Sequence, residues 1–128
     1  MGKAKAAAYI LIVLVVIAIY VLIPIDVYSK KLSGTVTGTG KILEDTFNIP
    51  PFKQVLRIRI AGNITGYLNV TIIDPTTNLG IFSEAFMGYK SSIYEDRMVG
   101  VFHTHTYKIV VEASGSYDIA IKLTVYPY

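Results

Sequence analysis

The chain contains no cysteine and no tryptophan, only two histidines and a single glutamine. Without cysteine there are no disulfides, no thiolate zinc sites, no thioether-linked haem and no thiol nucleophile. Charged residues are scarce at 16% and the net charge is only +3. From Lys30 onward ten Lys and Arg face eight Asp and Glu, so no basic patch suited to nucleic acid accumulates. There is no phosphate loop, nucleophile elbow or zinc-binding helix motif. The glycines of Gly34-Thr35-Val36-Thr37-Gly38-Thr39-Gly40 have no helix after them, which a phosphate cradle needs. These absences predict a protein that is not an enzyme, uses no cofactor and binds no nucleic acid.

What the chain does have is an uncharged run over residues 6–25, AAAYILIVLVVIAIYVLIPI. As a helix rising about 1.5 Å per residue it spans roughly the 30 Å hydrocarbon core of a bilayer. It is apolar on every side, so no face is suited to water. Ala6, Ile10, Leu14, Ile17 and Val21 mark its successive turns. It carries no ionisable group of the kind an ion or proton path requires. Pro24 disfavours the helical conformation at Ile23, which places the helix end near Leu22. The predicted role is a single-pass membrane anchor that contacts lipid. A cleaved signal peptide and a pilin-like assembly helix are the competing readings. The apolar run is long for a signal h-region, and the chain turns polar and glycine-rich soon after Pro24.

Lysines flank the run on both sides, so the positive-inside rule hardly orients it. Two sequons, Asn63-Ile64-Thr65 and Asn69-Val70-Thr71, fit the glycosylation acceptor pattern. They favour an extracellular carboxy-terminal domain and make Asn63 and Asn69 the glycan candidates.

After the anchor the hydrophobic period is two. Leu56, Ile58 and Ile60 alternate with arginines. Leu68, Val70 and Ile72 alternate with Asn69 and Thr71, and Tyr107, Ile109 and Val111 follow the same rule. Ile119, Ile121, Leu123 and Val125 form the last such row. Ser114-Gly115-Ser116 between the last two rows predicts a tight hairpin. Alternation with one wet face belongs to antiparallel sheets. The expected fold is mainly β: one N-terminal transmembrane helix, then an antiparallel β-sandwich of jelly-roll or immunoglobulin-like type. The expected divisions are a tail and helix over 1–25, a linker over 26–34 and a sandwich over 35–128.

Three stretches carry a resemblance. Thr46-Phe47-Asn48-Ile49-Pro50-Pro51 precedes an alternating strand, Gly66-Tyr67-Leu68-Asn69-Val70 follows, and Thr106-Tyr107-Lys108-Ile109-Val110-Val111 leads to a closing strand. This order resembles the small emp24/GOLD-like, jelly-roll-like domains of archaeal membrane-anchored surface proteins. The chain departs from that pattern at His105 and Ala113, where glycine and asparagine are usual. The resemblance implies binding, adhesion or assembly.

His103 and His105 are candidate metal ligands, since i and i+2 on a strand share a face; no third ligand is implied, and a rim position continuing the inward row is the alternative. Arg57 and Arg59 likewise share a face, as an anion site or as a polar outer surface. Residues 82–97 carry the weakest pattern, either a contact loop or a strand pair. Tyr89, Tyr94, Tyr126 and Tyr128 are predicted contact residues, because exposed tyrosines bury large areas at low entropy cost. The expected function is a non-enzymatic accessory, binding or assembly module at the cell surface, with lipid and other surface proteins as partners, self-association included. The alternative is a filament subunit, assembled through the apolar helix or by adding strand 35–42 to a neighbour's open edge.

Overall fold

A computed structural model of the protein describes residues 2–88 and 92–127. One helix, α1 (Gly2–Leu22), is followed by six strands: β1 (Ile25–Ile49), β2 (Val55–Ile64), β3 (Tyr67–Asp74), β4 (Leu79–Met87), β5 (Ser92–Gly100) and β6 (His105–Tyr126). The helix stops at Leu22, where the approach of Pro24 ends the hydrogen-bond ladder. None of its side chains is fully buried, and it is long and apolar enough to cross a membrane.

Strands β1 and β6 are unusually long because each serves two layers. Residues 25–36 of β1 pair with residues 115–125 of β6, and residues 40–49 pair with residues 105–113. The other edge of β6 takes β3 along its first half and β2 along its second. One layer is therefore β1–β6–β3–β4 and the other β1–β6–β2–β5, all antiparallel. With β1 and β6 each counted as two arms, eight strands divide four and four between the layers in the order of a jelly roll. The strands cross between layers where β1 shifts register between Val36 and Gly40 and where β6 passes Gly115. Gly38 and Gly115 both adopt φ of 76° there, a left-handed conformation that glycine takes without steric cost.

Two sequence expectations are corrected by this pairing. Ser114-Gly115-Ser116 is not a hairpin but a bend inside β6. A hairpin's arms pair with each other, whereas here both arms pair with β1. Residues 26–34 are not a linker: they are strand, from Asp26 opposite Thr124 to Gly34 opposite Tyr117. Their Ser, Gly and Lys composition reads as linker because β1 is an edge strand with little to bury. Only Phe47 and Ile49 of β1 are fully buried.

The predicted inward rows do form the core. Leu56, Ile58, Ile60, Leu68, Val70, Ile72, Ile109, Val111, Leu123 and Val125 are all buried. The described residues of the weakly patterned stretch 82–97 belong to β4 and β5, edge strands of the two layers that pair with β3 and β2 and not with each other. Phe82, Glu84 and Phe86 of β4 and Ile93 and Glu95 of β5 follow the inward parity. Arg97 bridges the gap between the edges, donating to Glu84 at 3.0 Å while its guanidinium lies 5.3 Å from the Phe82 ring. Charge pointing inward at a sheet edge discourages pairing with other chains, and it also blurs the period-two pattern.

Candidate functional site

The bends within β1 and β6, at Gly38 and Gly115, lie at one end of the sandwich, and α1 joins it at the other. There β1 begins, β6 ends, and three loops connect the strands: residues 50–54, 75–78 and 101–104. Only Ile23 and Pro24 separate the helix from β1.

Lys53 joins the two parts. Its side chain is 0% exposed, and its ammonium donates to the carbonyl oxygens of Tyr20 (2.6 Å), Val21 (3.0 Å) and Ile23 (2.6 Å). The Tyr20 ring lies 5.1 Å from the same nitrogen. The last carbonyls of a helix lack intrahelical partners and carry partial negative charge. α1 has no basic residue in its own last turn, so the sandwich supplies the cation. Burial pushes the Lys53 pKa down; the three carbonyls and the helix dipole favour the charged form.

Next to Lys53 is a cavity of about 460 Å³ lined by Gln54, Asp74, Ile81, Val101, His103 and Tyr107. Its rim is tied by hydrogen bonds: the Val101 amide donates to the Gln54 carbonyl at 2.9 Å, and the Phe102 amide to the Tyr107 hydroxyl at 3.0 Å. His105 Nε2 lies 2.9 Å from Asp74 Oδ1, and the Thr76 amide donates to that same oxygen. His105 holds the Asp74 carboxyl below the usual carboxylate range, against the opposing effect of burial.

His103 and His105 do not share a strand face. β6 begins only at His105, and Thr104 between them has φ of 53°. That left-handed residue breaks the alternation, leaving His103 exposed in the turn while His105 packs 4.9 Å from the Tyr107 ring. Among the described residues no three His, Asp or Glu side chains converge as a metal site.

Arg57 and Arg59 share the outer face of β2, engaged in side-chain bonds. Arg57 makes a two-point pair with Asp96 at 2.8 and 2.6 Å, and Arg59 donates to the Thr124 hydroxyl at 3.1 Å. Glu44 on β1 is paired with Lys108 and Lys41, which lower its pKa to about 2. Tyr28 is pushed up to about 12 by burial, with the Asp45 carboxylate adding to the shift. Asn63 is exposed near the end of β2. Asn69 is half-buried at the middle of β3, between Ala85 and Glu112. Tyr94 is exposed on β5 and Tyr126 is half-buried at the end of β6; Tyr89 and Tyr128 lie outside the described residues.

Sequence reasoning missed Lys53, Phe52 and Asp74. Lys53 follows Pro50-Pro51-Phe52 in a turn and reads as a solvated loop charge; only its contact with a helix 30 residues earlier reveals it.

The carboxyl of Asp74 supports a pH prediction. Its folded pKa is depressed, so its stabilising contribution is complete above the unfolded value of about 3.9 and is lost as pH falls through the folded value. Asp74→Asn is expected to lower the melting temperature at neutral pH and to flatten its decline below about pH 4. Equal pH profiles for the two proteins would show that the His105 pair contributes nothing.

Neither a protein-family model nor a curated protein matches the chain. Solved structures resemble it at low identity. PirA is 14% identical, over 77% of this chain and 94% of that one, with a TM-score of 0.47. A carbohydrate-binding module from Cellvibrio mixtus lichenase 5A, in complex with cellotriose, is 13% identical over 77% and 88%, with a TM-score of 0.41. A cleaved adhesin domain of Lys-gingipain is 13% identical over 80% and 88%, also with a TM-score of 0.41.

Proposed function

We propose that the protein is a single-pass membrane protein that displays a jelly-roll module outside the cell as a non-enzymatic accessory, binding or assembly subunit. The observation that carries this reading is the Lys53 clamp. A cleaved signal peptide has no use for a buried lysine in the mature domain that bonds three carbonyls at its end, those of Tyr20, Val21 and Ile23. A retained anchor does, because the clamp holds the module in one orientation against its helix. The charged groups Arg57, Asp96, Glu44 and Lys108 are paired with one another on the outer faces, which supports a structural surface over a catalytic one. The emp24/GOLD-like, archaeal surface-protein resemblance belongs to this same reading. Lipid and other surface proteins are its partners.

The test is fractionation and topology. The full chain is expected to stay with membranes through an alkaline carbonate wash. A chain lacking residues 1–24 is expected to be soluble and folded, since the core of the sandwich draws nothing from α1. Protease added to intact cells is expected to digest the sandwich. In a glycosylating host the sugar is expected first at Asn63, the more exposed acceptor. Protection of the sandwich until cells are opened would overturn the outside orientation.

A filament subunit is the second reading, favoured by β1. Its outer edge runs 25 residues and, among the described residues, β1 pairs only with β6. Within residues 35–42, Thr35, Val36, Gly40 and Lys41 are already paired with β6 on their inner edge, so a neighbour would add to the outer one. Filaments on sheared cell surfaces, with an amino terminus trimmed near residues 4–6, would favour pilin-like assembly; filaments with an intact terminus would favour the edge.

A further inference from the structure

The three loops at the helix-proximal end share features that anchoring alone does not require. Each contains one non-glycine residue in the left-handed region: Phe52 (φ 65°), Asn78 (φ 58°) and Thr104 (φ 53°). Among the described residues these are the only three. Asparagine tolerates that conformation, but a bulky aromatic there is an outlier whose strain the surrounding structure must hold. The conformation turns Phe52 outward, 55% exposed, while its neighbour Lys53 is wholly buried against the helix end. Phe102 in the third loop is 70% exposed, with its ring edge against His105 at 5.9 Å. Leu79, just after the second loop, is 66% exposed.

The loops are also free of acidic residues. Pro50-Pro51-Phe52-Lys53-Gln54, Pro75-Thr76-Thr77-Asn78 and Val101-Phe102-His103-Thr104 contain no Asp or Glu, and the ammonium of their one lysine already has its three donors taken up by carbonyls at the helix end. Taking these loops out of water therefore desolvates no free carboxylate.

We propose that this end of the sandwich docks on the bilayer that α1 crosses, with Phe52 and Phe102 inserted at the headgroup boundary. The inference rests on the anchor reading. Its ground is continuity: the two-residue connection and the Lys53 clamp hold the loops beside the point where the helix leaves the hydrocarbon. Exposed phenylalanines in that position can bury their rings at the boundary between headgroups and acyl chains, as the apolar side chains of membrane-surface segments do. The docked module would be pinned at the helix and at two further points, which fixes its tilt and presents the opposite end, with its crossings, away from the membrane.

The chain lacks tryptophan, so a single introduced tryptophan reports its own surroundings. Four full-length variants, Ile12→Trp, Phe52→Trp, Phe102→Trp and Met98→Trp, are reconstituted in phosphatidylcholine vesicles. Each is then quenched with lipids brominated at shallow or deep acyl positions, and with aqueous acrylamide. The expected result has four parts: Ile12→Trp quenched by deep bromine; Phe52→Trp and Phe102→Trp blue-shifted and quenched by shallow bromine; both protected from acrylamide; and Met98→Trp, on the outer face of β5, quenched by acrylamide alone. Deep quenching of Ile12→Trp with acrylamide access at both loop positions would overturn docking and leave the anchor standing. Loss of quenching at Ile12→Trp would overturn the anchor reading and docking with it. Two loop positions guard against one substitution disturbing its own loop, and matching circular dichroism of the variants confirms the fold.

Discussion

Lys53→Met is expected to uncouple the helix from the sandwich without unfolding either. Methionine keeps most of the apolar stem but offers no donor, so the carbonyls of Tyr20, Val21 and Ile23 lose the ammonium that satisfies all three. Hydrogen bonds from charged groups contribute about 1.5–3 kcal/mol, and leaving buried acceptors unmade costs about 1–3 kcal/mol. A net loss of about 2 kcal/mol or more raises local opening roughly 30-fold. The measurement is hydrogen exchange of the full chain in micelles, read at the amides of Leu22, Ile23 and Ile25. Their protection should fall by that factor, while the amides of β2 and β6 keep theirs. The melting temperature of the sandwich should move little, because the lost contact lies between the two parts. Wild-type protection at those three amides in the variant would mean that the clamp does not hold the junction.

The second large effect lies in the sandwich itself. Gly62 sits in β2 with φ of 148°, a region that residues with a Cβ rarely enter. A Cβ built there would lie 2.1 Å from the Asp118 carbonyl oxygen and 2.7 Å from the Ile119 Cα. Both are backbone atoms of β6, the strand that both layers share, so neither can move aside cheaply. Gly62→Ala therefore combines backbone strain of about 1–3 kcal/mol with overpacking of about 1–3 kcal/mol. At roughly 4–8 °C per kcal/mol for a domain of this size, the melting temperature should fall by about 8 °C or more. Gly100→Ala is the matched control. Nothing lies within 4 Å of a Cβ there, and its change should stay within about 0.5 kcal/mol of zero. Equal melting temperatures for the two variants would contradict the close approach of β2 to β6.

Gly62 also marks where local reading reaches its limit. In the sequence, Gly62-Asn63 reads as a turn signal, yet β2 continues through it to Ile64. Glycine is there because a neighbouring backbone comes close, and such closeness depends on a strand more than 50 residues away. Ser114-Gly115-Ser116 misleads for a related reason. A bend within a strand and a turn between strands need the same glycine conformation, and only the partner across the ladder distinguishes them. The histidine pair fails on one residue: Thr104, ordinary in sequence, takes a left-handed conformation and resets the parity.

What depends on neighbours along the chain was legible in the residues alone. The uncharged run with Pro24 at its end specified α1 to its last residue, because helix length and termination are local. Period-two alternation specified the core faces of β2, β3 and β6, because strand parity is also local. What depends on distant partners emerged with folding: that β1 and β6 each run through both layers to make a jelly roll, that residues 26–34 are edge strand, and that Lys53 caps a helix 30 residues before it. A free edge, a shared strand and a buried cation each owe their character to groups brought together by folding, and no window of sequence contains both members of such a pair.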